Sequence, residues 1–275
     1  MNLSTRDTLV LGAGGKTGRR IVERLRARGV AVRAGGRASN PPFDWEDPST
    51  WDRALRGIDA AYVCYYPDLA FPGADTAIQG FADCAKRAGV RRLVLLSGRG
   101  EPGAQRGEDV VRASGCEWTV IRASWFAQNF SEGHLLEPVR AGVVALPAGN
   151  VAEPFIDVDD IADIAAAALT DARHAGQLYE VTGPRLLTFA EAVDTIARAA
   201  RIPVRYEAVS TQGYANAISA YVPADFARWL TGMFSEILDG RNAHLSDGVE
   251  RALGRPPRDF ADYVRRTVAT GVWAA

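Results

Sequence analysis

Lysine is almost missing from this chain of 275 residues: of its 32 Lys and Arg residues, only Lys16 and Lys86 are lysine. Any step that needs a lysine ammonium therefore has two positions to draw on. Histidine is sparse as well. His134, His174 and His244 lie far apart and lack metal-ligand spacing, so no metal site is expected. The cysteines, Cys64, Cys84 and Cys116, are odd in number and sit in apolar strand-like or helical surroundings, as reduced core thiols do in a cytoplasmic protein. No apolar run approaches the ~20 residues of a membrane span, and the first residues lack a signal-peptide core, so no membrane partner is expected. A net charge of -1 gives no reason to expect nucleic acid. Internal repeats and low-complexity linkers are missing too, while a hydrophobic content of 47% is ordinary for a soluble folded chain.

What is present begins at Thr8. Thr8-Leu9-Val10-Leu11 is an apolar strand that runs into Gly12-Ala13-Gly14-Gly15-Lys16-Thr17-Gly18, and the helix that follows carries Ile21, Val22 and Leu25 on one face. A strand, a glycine-rich turn and a helix in that order form the dinucleotide-binding unit of a Rossmann fold. Gly12 permits the tight turn, Gly15 lets the backbone approach a pyrophosphate, and Gly18 lets helix pack on strand. The helix N-terminus offers free N–H groups and partial positive charge to phosphate. Gly12, Gly14, Gly15, Lys16, Thr17 and Gly18 are therefore the candidate phosphate contacts.

Strand and helix signals alternate through the first half of the chain. Strands are expected at 30–34, 41–44, 60–64, 92–97 and 118–122, with helices over about 48–56, 74–88 and 105–113. Near-continuous apolar strands separated by helices indicate a doubly wound parallel α/β sheet covered on both faces. Farther on, 154–158 and 178–181 read as strands around an alanine-rich helix opened by Asp159 and Asp160. Thr188 and Glu191 form a capping box for a helix over 189–200, 204–207 is a strand, and 223–238 and 258–270 are helical. The expected organisation is a Rossmann domain of residues 1–125 plus 151–182. A smaller, mainly helical substrate region of 126–150 plus 183–275 caps it, with a cleft at the carboxyl ends of the strands.

Cofactor choice is read after the second strand. NAD-selective folds place Asp or Glu there, but this chain has Arg33-Ala34-Gly35-Gly36-Arg37-Ala38-Ser39 and no acid before Asp44. Arg37 is expected to pair with a 2′-phosphate, with Arg33 and Ser39 as helpers, so the cofactor is NADP(H). Asp44 and Trp45 flank the adenine or form a plain loop.

Several segments together resemble the NmrA-like branch of the atypical short-chain dehydrogenases/reductases. They are Leu11 to Gly18, Leu95-Leu96-Ser97-Gly98-Arg99-Gly100, Trp118 to Phe130, Phe155-Ile156-Asp157-Val158-Asp159-Asp160-Ile161-Ala162 and Tyr179-Glu180-Val181-Thr182-Gly183-Pro184. Within that branch the chain is similar to bacterial relatives of the ergot-alkaloid agroclavine dehydrogenases. The resemblance implies Tyr65 to Pro67 beside the adenosine and nicotinamide ribose, and Ser97 where the superfamily keeps a Ser or Thr on the substrate oxygen. It also implies Ala123 to Phe126 beside the nicotinamide. The family commonly has Thr where this chain has Gly14, and Pro where it has Ala123.

The same resemblance exposes a missing acid. Standard members of the superfamily protonate a developing alkoxide with a Tyr-x-x-x-Lys pair. Lys16 lies in the phosphate loop, the residue four before Lys86 is Ala82, and the helix after the fifth expected strand reads Arg106-Gly107-Glu108-Asp109-Val110-Val111-Arg112, without tyrosine. What remains is hydride transfer to an acceptor that makes little demand on a positioned strong acid: an iminium, a quinone or a conjugated system. Tyr65, Ser97, Trp125 and Asn129 are the catalytic candidates, with Phe126 on the cofactor and Tyr214 and Tyr221 from the cap. Each also has a structural reading: Ser97 ends a strand, the aromatics pack between domains, and Asp157, Asp159 and Asp160 serve as caps. Residues 101–108 are read as a glycine-rich polar loop beside the site. The alternative function is a non-catalytic, NADP(H)-sensing regulator of NmrA type; the expected partner otherwise is a small-molecule substrate, and oligomeric state is left open.

Overall fold

The computed structural model describes residues 7–274. Its centre is a six-stranded sheet in the order β2-β1-β3-β4-β5-β8, built from β1 (Asp7–Leu11), β2 (Val32–Gly35), β3 (Ile58–Val63), β4 (Arg92–Gly98), β5 (Glu117–Ala123) and β8 (Gln177–Val181). Every neighbouring pair is parallel, with Thr8 opposite Val32, Val10 opposite Tyr62, Val94 opposite Thr119 and Ile121 opposite Tyr179. Alternation along the strands sends Leu9, Leu11, Leu93 and Leu95 to one face, against α2 (Trp51–Leu55), α3 (Ala74–Arg87) and α4 (Pro102–Ala113). Val10, Tyr62, Val94 and Ile121 go to the other, against α1 (Lys16–Ala27) and α7 (Val158–Thr170). The sheet is therefore buried on both sides, as the apolar strands require.

Helix α1 shows why the opening segment folds locally. Ile21, Val22 and Leu25 share a buried stripe, and each such side chain contributes roughly 1.5–3 kcal/mol on burial. The helix ends where Gly29 takes φ +71 and the Val30 N–H closes back on the Leu25 carbonyl at 3.0 Å. The sheet then resumes at Val32.

A third core forms beyond β5. It gathers α5 (Asn129–Glu132), α6 (Leu136–Arg140), β6 (Val143–Leu146), α8 (Phe189–Ala200), β10 (Arg205–Ala208), α9 (Thr211–Ile218), α10 (Ala224–Ile237) and α12 (Phe260–Val268) around Phe130, Phe155, Phe189, Phe234 and Phe260. β6 pairs in parallel with β10, while β7 (Ala152–Glu153) pairs antiparallel with β9 (Leu187–Thr188). The helix α11 (Gly248–Leu253) returns to cover β8 so closely that a Cβ on Gly248 would lie 2.0 Å from the Glu180 carbonyl oxygen. The Thr188–Glu191 capping box stands as expected. Among the described residues no helix is long and apolar enough to cross a membrane.

Three expectations are corrected. Residues 41–44 form no strand: Pro41 and Pro42 have no N–H to donate, and the Phe43 N–H turns back to the Gly36 carbonyl at 3.0 Å. The segment 154–158 is likewise no strand; Ile156 makes a single bridge to Phe126, and Asp157 already caps α7 by accepting the Asp159 N–H. Residues 101–108 are not a loop. Pro102 stands in the first turn of α4, where its missing N–H costs nothing, and the helix runs from there to Ala113.

Candidate active site

The glycine loop between β1 and α1 fits the backbone demands of a dinucleotide cradle. Gly12 has φ +63, a left-handed conformation that strains other residues. The Gly15 N–H closes the turn on the Gly12 carbonyl at 2.8 Å. A Cβ on Gly18 would stand 2.1 Å from that same carbonyl oxygen, so glycine is what lets α1 rest on the turn. Gly14 faces open space. No side chain caps α1, and its first turn holds no acid, so its N–H groups and positive dipole end are free to receive phosphate oxygens.

Lys16 opens this helix. Burial lowers its pKa, while Glu132 and the Cys64 thiol nearby act in the opposite direction. Glu132 reaches from α5 to Arg19 at 2.5 Å and to Arg20 at 2.8 Å, clasping α5 onto the nucleotide helix. His134 follows, its ring 6.2 Å from Trp125 and 6.5 Å from Phe234. Desolvation there, with the Lys16 charge second, brings its pKa down to about 4, so the imidazole is neutral at neutral pH.

Other predicted residues fall into two groups. Trp125 stands edge-on to Phe189 at 5.2 Å and beside Phe234 at 5.3 Å, with its indole N–H buried and unpartnered. Phe126 bridges to Ile156 and packs on the sheet core, and Asn129 begins α5 just beyond it. Tyr65, after β3, lies 5.0 Å from Trp45, whose indole N–H donates to the Cys64 carbonyl at 3.1 Å. Tyr65 follows the carboxyl end of β3, and Trp125 and Phe126 follow that of β5. From the third core, Tyr214 is buried against Phe234, whereas Tyr221 is 88% exposed.

Ser97 is placed differently. It is 4% exposed and donates to Glu108 Oε1 at 2.6 Å. Glu108, on the buried stripe of α4, also binds Arg122 at 2.5 Å, and Arg122 lies 3.7 Å from Glu180. Arg99 completes the network, binding Glu180 at 2.8 Å and the carbonyls of Asn242 and His244 at 2.8 and 2.9 Å. The hydroxyl at the end of β4 is thus turned into an ion-pair network. Glu108 was missed by sequence reasoning although it carries a signal. A glutamate between Ala104 and Val111 on a helix's apolar stripe needs a buried partner.

Arg37 is exposed, after the turn that follows β2. Arg33 is not free to help it, because its guanidinium holds the Ala54 and Arg56 carbonyls at 2.9 and 2.7 Å and Asp7 at 3.1 Å. The Ser39 hydroxyl lies between the Gly36 and Pro41 carbonyls at 2.6 and 2.7 Å, so it shapes the turn. Asp44 builds the next loop: its carbonyl accepts from Trp51 at 2.7 Å and its carboxylate from the Glu46 N–H at 3.1 Å. The acidic residues around the start of α7 make structural contacts, the role the sequence favours for them. Asp157 caps the helix and binds Arg266, and Asp160 is fully buried against Arg255 and Arg258.

Comparison with known proteins now decides the family. A model described as NAD(P)H-binding matches residues 12–172, and one described as the NmrA-like family matches residues 106–263. The chain belongs to the NmrA-like family. This NmrA-like chain is 31% identical to the uncharacterized oxidoreductase YesF of Bacillus subtilis, over 96% of its length and 97% of that protein's. It is 28% identical to agroclavine dehydrogenase of Claviceps fusiformis, covering 93% and 95% of the two chains. An NADPH-dependent quinone oxidoreductase from Escherichia coli, solved with NADPH, has the same fold with a TM-score of 0.78 and 20% identity, over 94% of this chain and 99% of that one. The glycine loop thus opens the NAD(P)H-binding portion of an NmrA-like oxidoreductase.

Proposed function

We propose that this protein is an NADPH-dependent reductase of small, conjugated or iminium-like acceptors, working without a Tyr–Lys pair. The observation that carries the reading is on α4. Where the superfamily's acid pair would come from, this helix turns Glu108 inward onto Ser97 and Arg122, and it contains neither tyrosine nor lysine. A simple ketone, whose alkoxide must be protonated as it forms, is poorly served by such a site. An acceptor that already carries or delocalises charge is better served.

NADPH supplies the hydride when bound. The chain's own residues do the rest. The N-terminus of α1 and the Gly12–Gly18 turn hold the diphosphate, and exposed Arg37 takes the 2′-phosphate that distinguishes NADPH from NADH. Trp125, Phe234 and the neutral His134 ring form an apolar wall against which a flat acceptor can lie. Orientation of that kind contributes several kcal/mol to a hydride transfer. The relatives support this reading, since their names include an NAD(P)H azoreductase and festuclavine synthases.

The test is NADPH consumption against a panel of quinones, enones, azo compounds and cyclic iminium ions. Turnover of at least one class, with simple ketones inert, is the expected result. Tight NADPH binding with no turnover of any acceptor replaces this reading with the sensing role.

A further inference from the structure

Two of the three histidines are spent on protein contacts. His174 is buried with its Nδ1 2.8 Å from the Tyr179 hydroxyl, and His244 lies 3.6 Å from Glu180. His134 differs: it is exposed, and its ring makes no hydrogen bond among the described residues. The turn that carries it, between α5 and α6, is nevertheless held firmly. Gly133 comes so close to α5 that a Cβ there would stand 3.0 Å from the Asn129 Cα. On the other side, the Leu135 N–H closes back on the Asn129 carbonyl at 3.2 Å, and the Leu135 side chain is buried in the third core.

Two ties fix where that turn sits. Glu132, two residues earlier, pairs with Arg19 and Arg20 of α1 at 2.5 and 2.8 Å. The His134 ring itself lies 6.2 Å from Trp125, just past β5, and 6.5 Å from Phe234 of α10. Lys16, the first residue of α1, is the charge that acts on it. His134 thus stands by the opening of the nucleotide helix and the carboxyl end of β5, the side on which open α/β sheets bind ligands. Trp125 has an unpartnered N–H there too, but that nitrogen is buried, whereas His134 is exposed. A neutral imidazole carries one N–H donor and one bare nitrogen.

We propose that the His134 N–H hydrogen-bonds the acceptor oxygen on which negative charge gathers during reduction. The inference rests on the reductase reading and narrows it to quinones and enones, in preference to iminium ions. Hydride from the reduced nicotinamide forms a C–H bond at the conjugated carbon. The π bond breaks, and its electron pair moves to the terminal oxygen. The imidazole holds that oxygen while it is an anion and keeps its own proton; water protonates the product afterwards. Stabilising charge where it develops is the work of an oxyanion-binding donor. An iminium ion ends the same step as a neutral amine, with no anion to hold.

Binding and turnover test this separately. With NADP+ present, 4-nitrophenolate serves as an oxyanion probe and 4-nitroanisole as its neutral counterpart. His134→Phe, which keeps a flat apolar ring, should weaken nitrophenolate by about 10- to 100-fold, the worth of a hydrogen bond to a charged group, and weaken the anisole by far less. His134→Gln, which restores an N–H, should recover most of the loss. In turnover at saturating NADPH, His134→Phe should slow a quinone at least 10-fold more than a cyclic iminium ion, a split that a packing role would not produce. Equal losses for the two probes or the two acceptors overturn the inference, as does a Gln variant no better than Phe. A wild type that reduces neither acceptor overturns the reductase reading, and the hydrogen bond to a reduced acceptor falls with it.

Discussion

Ser97 Oγ donates to Glu108 Oε1 at 2.6 Å, and this bond joins the end of β4 to the buried face of α4. Glu108 is 1% exposed and also neutralises Arg122. Replacing it with alanine strands the Arg122 guanidinium and the Ser97 hydroxyl in a desolvated place. Glu108→Ala should lose about 3 kcal/mol of unfolding free energy. Denaturant titration measures this, and a loss below about 1 kcal/mol would mean that the network is solvated.

The glycine loop allows a paired comparison. Alanine at position 18 would put its Cβ 2.1 Å from the Gly12 carbonyl oxygen, so α1 must lift off the turn. Gly18→Ala should cost about 3 kcal/mol and weaken NADPH binding together with stability. Gly14 meets nothing within 4 Å, and Gly14→Ala should change stability by less than about 0.5 kcal/mol. Thermal unfolding of the two variants separates these outcomes; equal losses would contradict the turn geometry.

Arg37 and Arg33 are separated by the same logic. Arg37→Ala should weaken NADPH binding by about 10- to 100-fold, the worth of a charge-assisted phosphate contact, while NADH affinity and stability stay level. Arg33→Ala should do the reverse, because its guanidinium holds two backbone carbonyls and Asp7. Fluorescence titration with both cofactors is the measurement. An Arg37→Ala protein with unaltered NADPH affinity would remove that residue from the site.

Glu153 carries a pH signature. It is fully buried, both its carboxyl oxygens lack partners, and burial raises its pKa from 4.5 to about 7 against the opposing Arg99 charge. An acid with a raised folded-state pKa contributes its full stability below the unfolded value and loses it as pH rises toward the folded one. Between about pH 4.5 and 7, wild type should therefore lose about 3 kcal/mol that Glu153→Gln does not lose. Unfolding free energies at pH 5 and pH 8 for the two proteins check this; parallel pH profiles would show that Glu153 is solvated or paired.

Much of the scaffold is legible in the residues. The strand–glycine–helix opening, the apolar strands and the Thr188–Glu191 cap are local patterns set by a few neighbouring side chains, and they stand where expected. The failures have local causes too. Around Pro41 and Pro154, β-like composition outweighed the prolines' missing donors. Residues 101–108 read as a loop because two glycines and a proline mask a helix whose stripe is completed by Glu108. Short strands such as β6 and β10 pair across sixty residues, and no neighbouring residue announces the partner.

The sequence by itself determined the cradle and the lack of tyrosine and lysine in α4, because both depend on which residue types stand at fixed places along the chain. Only the tertiary structure decided that Ser97 faces Glu108, that Arg33 is already engaged, and that Glu153 is buried without a partner. Those facts depend on which elements the parallel sheet sets side by side, and on how little water is left between them to satisfy a charge.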